Sequence, residues 1–206
     1  MTKVKICGIT NLEDALLSAK FGADALGFNF YKKSPRYILP ELAREIIDQI
    51  PANIFKVGVF VNEARDRIVE VARITLIDAV QLHGDETPEF ARKLKAETGL
   101  QVMKAFRVSE SFEPNALLEY EVDAVLLDTY SPDSYGGTGA MFNWDIAKVL
   151  NCQQLYLAGG LNSYNVAAAV KAVRPFAIDV ASGVESTKGK KDARKLETFI
   201  MNAKSA

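Results

Sequence analysis

Eight times along this chain, a short run of strand-favouring apolar residues gives way to a longer stretch with helical periodicity. The runs lie at residues 4–6, 25–28, 55–61, 79–82, 101–106, 122–127, 155–158 and 176–180. Between them, apolar residues recur at helical spacing. Leu12, Ala15, Leu16 and Ala19 do so in the first interval, and Val166, Ala169, Val170 and Val173 in the seventh. Asn11, Asn62 and Asn162 stand where N-caps are expected, and Pro40 and Thr87-Pro88 open two further helices. The weakest helical stretch is residues 110–120, interrupted near Pro114. A short helix is expected over residues 144–150, and the last helix presents Leu196, Phe199, Ile200 and Ala203.

Strands that alternate with helices imply parallel pairing through right-handed crossovers. Short, nearly uninterrupted apolar strands are what a sheet buried on both faces requires. The chain has 206 residues, so each unit takes about 26, at the compact end of the eight-stranded range. An open doubly wound sheet would usually have fewer strands, and the first βα turn lacks GxGxxG. The expected fold is α/β, a single (β/α)8 TIM barrel forming one domain over residues 1–206.

In such a barrel, active sites are built at the carboxyl ends of the strands. Cys7 follows the strand residues Val4, Lys5 and Ile6, with Gly8 ending the strand. A free cysteine is most often a small buried hydrophobe. Here other strand ends deliver functional groups to the same face: the loop carrying Arg36, then His83, Asp128, Gly159-Gly160, Asp179 and Ser182-Gly183. The two glycine pairs follow strands seven and eight, the usual phosphate site of these barrels, and glycine lets backbone N–H groups approach an anion. Arg36, in S-P-R-Y, offers a guanidinium suited to a bidentate grip on a carboxylate. His83 is read as a lining residue, since a single histidine beside a glycine is more often a hydrogen-bonding structural group. Asp128 ends a strand whose other inward positions are apolar, and a desolvated carboxyl suits a general acid. A thiol whose pKa is lowered by nearby positive dipoles becomes an effective base. One acid and one base beside a phosphosugar point to proton-transfer isomerisation without a cofactor. Residues 136–140, G-G-T-G-A, lack the Lys-Ser/Thr of a nucleotide loop and read as a mobile lid.

Other chemistries are disfavoured. A net charge of −1, with no basic or acidic run, argues against nucleic acid and membrane surfaces as partners. No apolar run approaches the ~20 residues needed to span a bilayer, and the sequence enters a strand without a leader, so the cytoplasm is expected. Cys7 and Cys152 belong to opposite rims, which makes a disulfide implausible. With one histidine and no CxxC or HExxH, no metal is expected.

The segments K-I-C-G-I-T, S-P-R-Y, Q-L-H-G, L-L-D-T, G-G-T-G, A-G-G-L-N and D-V-A-S-G-V-E occur in that order between residues 3 and 191. Together they resemble the phosphoribosylanthranilate isomerase family of tryptophan biosynthesis. The resemblance implies an Amadori rearrangement of N-(5′-phosphoribosyl)anthranilate, with Cys7 as general base and Asp128 as general acid. It also implies that Arg36 meets the anthranilate carboxylate and that Asp179 binds a sugar hydroxyl. Gly159, Gly160, Ser182 and Gly183 would hold the phosphate. No cofactor is implied, the only partner is the small-molecule substrate, and a monomer or a homodimer would serve. A ribulose-phosphate epimerase would want several metal-binding histidines. A non-catalytic phosphometabolite-binding protein would bind without turnover, which an activity assay distinguishes.

Overall fold

A computed structural model describes residues 1–109, 112–129 and 154–206. Its strands are β1 (Lys3–Cys7), β2 (Ala25–Asn29), β3 (Phe55–Phe60), β4 (Ala79–Leu82), β5 (Gln101–Val108), β6 (Ala124–Thr129), β7 (Leu155–Leu157) and β8 (Ala177–Val180). They pair in chain order and close into a barrel, all in parallel, with β8 returning to β1 through Val4 opposite Ile178 and Lys5 opposite Asp179. The expected (β/α)8 barrel is what the chain forms.

Helices follow the strands: α1 (Leu12–Phe21), α2 (Pro40–Ile47), α3 (Arg65–Thr75), α4 (Pro88–Thr98), α5 (Val166–Val173) and α6 (Ala193–Lys204). Asn11 caps α1 as expected, its side chain accepting from the Asp14 N–H, and Gly22 ends the helix in a left-handed conformation. The other two asparagines do different work. Asn62 is itself left-handed (φ 49°), and its Oδ1 accepts from the Asp85 N–H at 2.6 Å, tying the loop after β3 to the loop after β4. Helix α3 begins later, behind Ala64. Asn162 accepts from the N–H groups of Tyr164 and Asn165, a local turn that delays α5 to Val166.

The weak helix resolves into a 3-10 helix over Pro114–Glu119. Proline is tolerated only in a first turn, so no longer helix could run through it. The stretch after β8 holds a three-residue 3-10 turn and a hairpin of β9 (Glu185–Thr187) and β10 (Lys190–Lys191). The expected lid at residues 136–140, the helix at 144–150 and Cys152 lie outside the described residues.

Strand residues alternate between two environments. Val4, Ile6, Leu26 and Phe28 pack outward with helix residues such as Leu94 and Phe199 in the main core. Each such fully buried large side chain contributes about 1.5–3 kcal/mol. Facing inward, Met103, Ala105, Leu126, Tyr156 and Ala177 make a smaller cluster under β5 to β8. Val57, Val59 and Ala79 add further apolar positions, and among them Lys5, Gln81 and Asp179 are buried polar side chains. Among the described residues, no helix is long and apolar enough to cross a membrane.

Candidate active site

The inward face of β1 carries Lys5 and then Cys7, two residues apart, as strand periodicity demands. Lys5 Nζ lies 2.9 Å from Asp179 Oδ1 on the neighbouring β8, and Lys5 is wholly buried. Burial alone would lower the lysine's pKa, but the Asp179 carboxylate and Cys7 outweigh it and hold the value above normal. Gly27 on β2 is paired with Cys7, and its lack of a side chain makes the room. A Cβ there would sit 2.8 Å from Cys7 Sγ and 3.2 Å from Lys5 Nζ. Lys5 and Lys191 lie near the thiol, and so does the Asp179 carboxylate. Burial pushes the Cys7 thiol up, against the pull of Lys5.

Arg36 is brought to Cys7 by the loop after β2, its side chain lying against Gly8. It is not an open fork. Its Nε and Nη2 donate to the two carboxylate oxygens of Glu185 at 2.7 and 2.8 Å. The expected bidentate grip on a substrate carboxylate is therefore already occupied from within. Glu185 also accepts from Lys191 Nζ at 3.2 Å, while that ammonium donates to the carbonyls of Cys7 (2.6 Å) and Ala181 (3.2 Å). Burial draws Lys191 below the ordinary lysine value, yet three acceptors around Nζ match the three protons of an ammonium.

Asp128 is the penultimate residue of β6 and is 5 % exposed. His83 Nε2 approaches its Oδ2 at 3.3 Å, an ion-pair distance off the line of a good hydrogen bond. The other ring nitrogen, Nδ1, lies 2.7 Å from Gln81 Nε2. His83 thus bridges β4 to the carboxyl of β6 and sits closer to the expected acid than a mere lining role suggests. Arg107, opposite Asp128 in the strand register, pairs with Asp85.

The glycine turns adjoin one another. Gly159 and Gly160 are both left-handed, at φ 84° and 64°, which glycine adopts at little cost. Any side chain at Gly183 would collide with the Leu161 carbonyl, so the turn after β8 packs directly on the turn after β7. Asn165 Nδ2 donates to the Gly160 carbonyl at 2.9 Å and fixes the first turn. The expected helix start beside Gly160 is displaced, since α5 begins at Val166.

A family model described as N-(5'phosphoribosyl)anthranilate (PRA) isomerase matches residues 4–202. The chain belongs to this isomerase family. An N-(5'-phosphoribosyl)anthranilate isomerase of Trichlorobacter lovleyi is 52% identical over 208 residues, covering 100% of both chains. The crystal structure of phosphoribosyl anthranilate isomerase from Thermotoga maritima superposes with a TM-score of 0.89 at 47% identity, covering 100% of both chains. A phosphoribosyl anthranilate isomerase solved with reduced 1-(o-carboxyphenylamino)-1-deoxyribulose 5-phosphate gives a TM-score of 0.83 at 44% identity, again over 100% of both.

In this family member, the expected site residues lie toward the carboxyl ends of their strands or in the loops beyond, with Asp179 deeper, level with Lys5. Lys5, Gln81, Glu185 and Lys191 join the cluster, although no site role is expected of them from the sequence. Lys5 was within reach, because position i−2 on a strand shares a face with Cys7. Glu185 and Lys191 sit on strands too short to show any period.

Proposed function

We propose that the chain catalyses the Amadori rearrangement of N-(5′-phosphoribosyl)anthranilate to 1-(2-carboxyphenylamino)-1-deoxyribulose 5-phosphate, a cytoplasmic step of tryptophan biosynthesis. The observation that carries this reading is the placement of Cys7 and Asp128. They stand on β1 and β6, with the glycine turns following the two strands between them. A phosphosugar anchored at those turns lies between an acid and a base.

Asp128 gives its proton to the ring oxygen O4′, the C1′–O4′ bond breaks, and the anthranilate nitrogen lone pair forms an iminium at C1′. Cys7 then takes the proton from C2′. The electrons of that bond form C1′=C2′ and neutralise the nitrogen, giving an enolamine. Tautomerisation places a proton on C1′ and removes one from O2′. Protons lost from C2′ and O2′ balance those gained at O4′ and C1′. C1′ is reduced as C2′ is oxidised, so no external electron carrier enters.

Gly159, Gly160, Ser182 and Gly183 hold the phosphate through main-chain N–H groups, which need no side-chain charge. With Glu185 occupying Nε and Nη2, Arg36 meets the anthranilate carboxylate through Nη1. Asp179, one oxygen of which is taken by Lys5, binds a sugar hydroxyl with the other. All of these residues come from one chain, so a single copy suffices for the chemistry. The test is the fluorescence of the anthranilate-linked substrate. Purified chain treated with chelator should abolish that fluorescence on turnover with nothing added. Binding of a product analogue without any loss of substrate would refute catalysis.

A further inference from the structure

A wholly buried lysine is uncommon, because lysine is almost never fully buried unless paired. This barrel fills much of its interior with hydrocarbon, yet sets Lys5 beside Asp179 at its centre. Stability alone is a weak explanation, since buried ion pairs can often be replaced by apolar residues at no cost. Position is more informative. Lys5 and Cys7 both turn into the space that a side chain at Gly27 would have filled, so that bare backbone lets the ammonium reach the thiol. Asp179 holds the ammonium there through the register of β1 with β8.

We propose that Lys5, anchored by Asp179, is the counter-ion of Cys7 and holds its side chain in the anionic form that removes the C2′ proton. This rests on the reading of Cys7 as the base. The charged groups facing Cys7 are Lys5 from β1, Asp179 from β8, Lys191 from β10 and Arg36 from the loop after β2. Glu185 on β9 pairs with the last two. Three cations and two carboxylates therefore adjoin the thiol, with the buried Asp14 carboxylate behind them on the Lys191 N–H. Burial pushes the thiol up, and Lys5 is the strongest influence in the other direction, with Asp179 partly offsetting it. During abstraction the sulfur takes the C2′ proton and becomes a neutral thiol. Lys5 keeps its own protons throughout, so it is a positioning residue.

Alkylation of Cys7 by iodoacetamide, followed against pH in the full chain, reads this directly. Mass spectrometry of the labelled peptide separates Cys7 from Cys152. Lys5→Met should move the alkylation midpoint up by about one pH unit or more. The acid limb of the kcat profile should move the same way, with KM less affected. Lys5→Arg keeps the charge and should restore most of the midpoint. Lys5→Met leaves Asp179 buried without its partner, so Lys5→Met/Asp179→Asn is measured beside it and should give a smaller upward movement. A midpoint unmoved in both variants, with Cys7→Ala inactive, overturns the counter-ion role and leaves the base intact. Turnover retained in folded Cys7→Ala overturns the base, and with it any catalytic role for Lys5.

Discussion

In the proposed reaction Cys7 and Asp128 each handle a different proton, so removing either should leave binding and lose turnover. Cys7→Ala and Asp128→Asn should each lower kcat by about 10²–10⁴-fold, the usual worth of general acid–base catalysis. Calorimetric affinity for a product analogue should stay near that of the unaltered chain, because the lost interaction belongs to the transition state. Substrate deuterated at C2′ should turn over more slowly wherever abstraction limits the rate. Turnover near the unaltered rate in either folded variant would remove that residue from the mechanism. Arg36 behaves differently, because its side chain is only 11% exposed and already paired with Glu185. In the structure Arg36→Ala leaves a buried carboxylate with only Lys191 as partner. It should therefore lower stability by about 1.5–3 kcal/mol, the worth of hydrogen bonds to charged groups. A drop of tenfold or more in kcat/KM should accompany it. Chemical denaturation and steady-state kinetics on one preparation separate the two effects; an unchanged denaturation midpoint would count against the Glu185 pairing.

The strands were legible because a barrel strand is buried on both faces and therefore reads as an apolar run, whatever follows it. The loops were less so. Asn62 and Asn162 carry the same cap chemistry as Asn11, yet Asn62 turns it to the neighbouring loop after β4 and Asn162 to its own turn, and nothing local distinguishes these uses. The β9–β10 hairpin is too brief for any period to register, although it supplies Glu185 and Lys191. The space left by Gly27 on β2 was equally silent, since only the register with β1 places Cys7 opposite it. That register makes a prediction. Gly27→Ala puts a methyl 2.8 Å from Cys7 Sγ and 3.2 Å from the Cys7 Cα, which as backbone cannot swing aside. Overpacking of this kind costs about 1–3 kcal/mol, and the displaced thiol should lose kcat as well. Thermal melts and kinetics on the variant check both. An unaltered kcat with a lowered melting temperature would show that the thiol tolerates displacement.

At the scale of the molecule, the site doubles as the clasp that joins the two ends of the chain. The barrel closes where β8 meets β1, and above that seam Lys191 Nζ bonds the carbonyls of Cys7 and Ala181. The Lys191 N–H donates to Asp14 Oδ2 at 2.8 Å, adding α1 to the clasp. The partners are remote in sequence, Lys5 and Asp179 standing 174 positions apart and Arg36 and Glu185 149. No window of local pattern could pair them, whereas the strand ends that merely arrive at one face needed only the alternation. Glu185 is the centre of this clasp and gives it a pH dependence. Burial works to raise its pKa, and the Arg36 hydrogen bonds together with Lys191 more than offset that, leaving the carboxyl below its ordinary range. A carboxyl depressed in the folded state contributes stability that is fully present above its unfolded pKa of about 4.3. That contribution is lost as pH falls through the lower folded value. Glu185→Gln has no such carboxyl to titrate. The gap in urea midpoint between the unaltered chain and this variant should therefore be wide and level above about pH 5 and narrow progressively below about pH 4. A gap that stays constant down to the acid transition would mean that Glu185 does not titrate with folding, and that the clasp holds by shape rather than by charge.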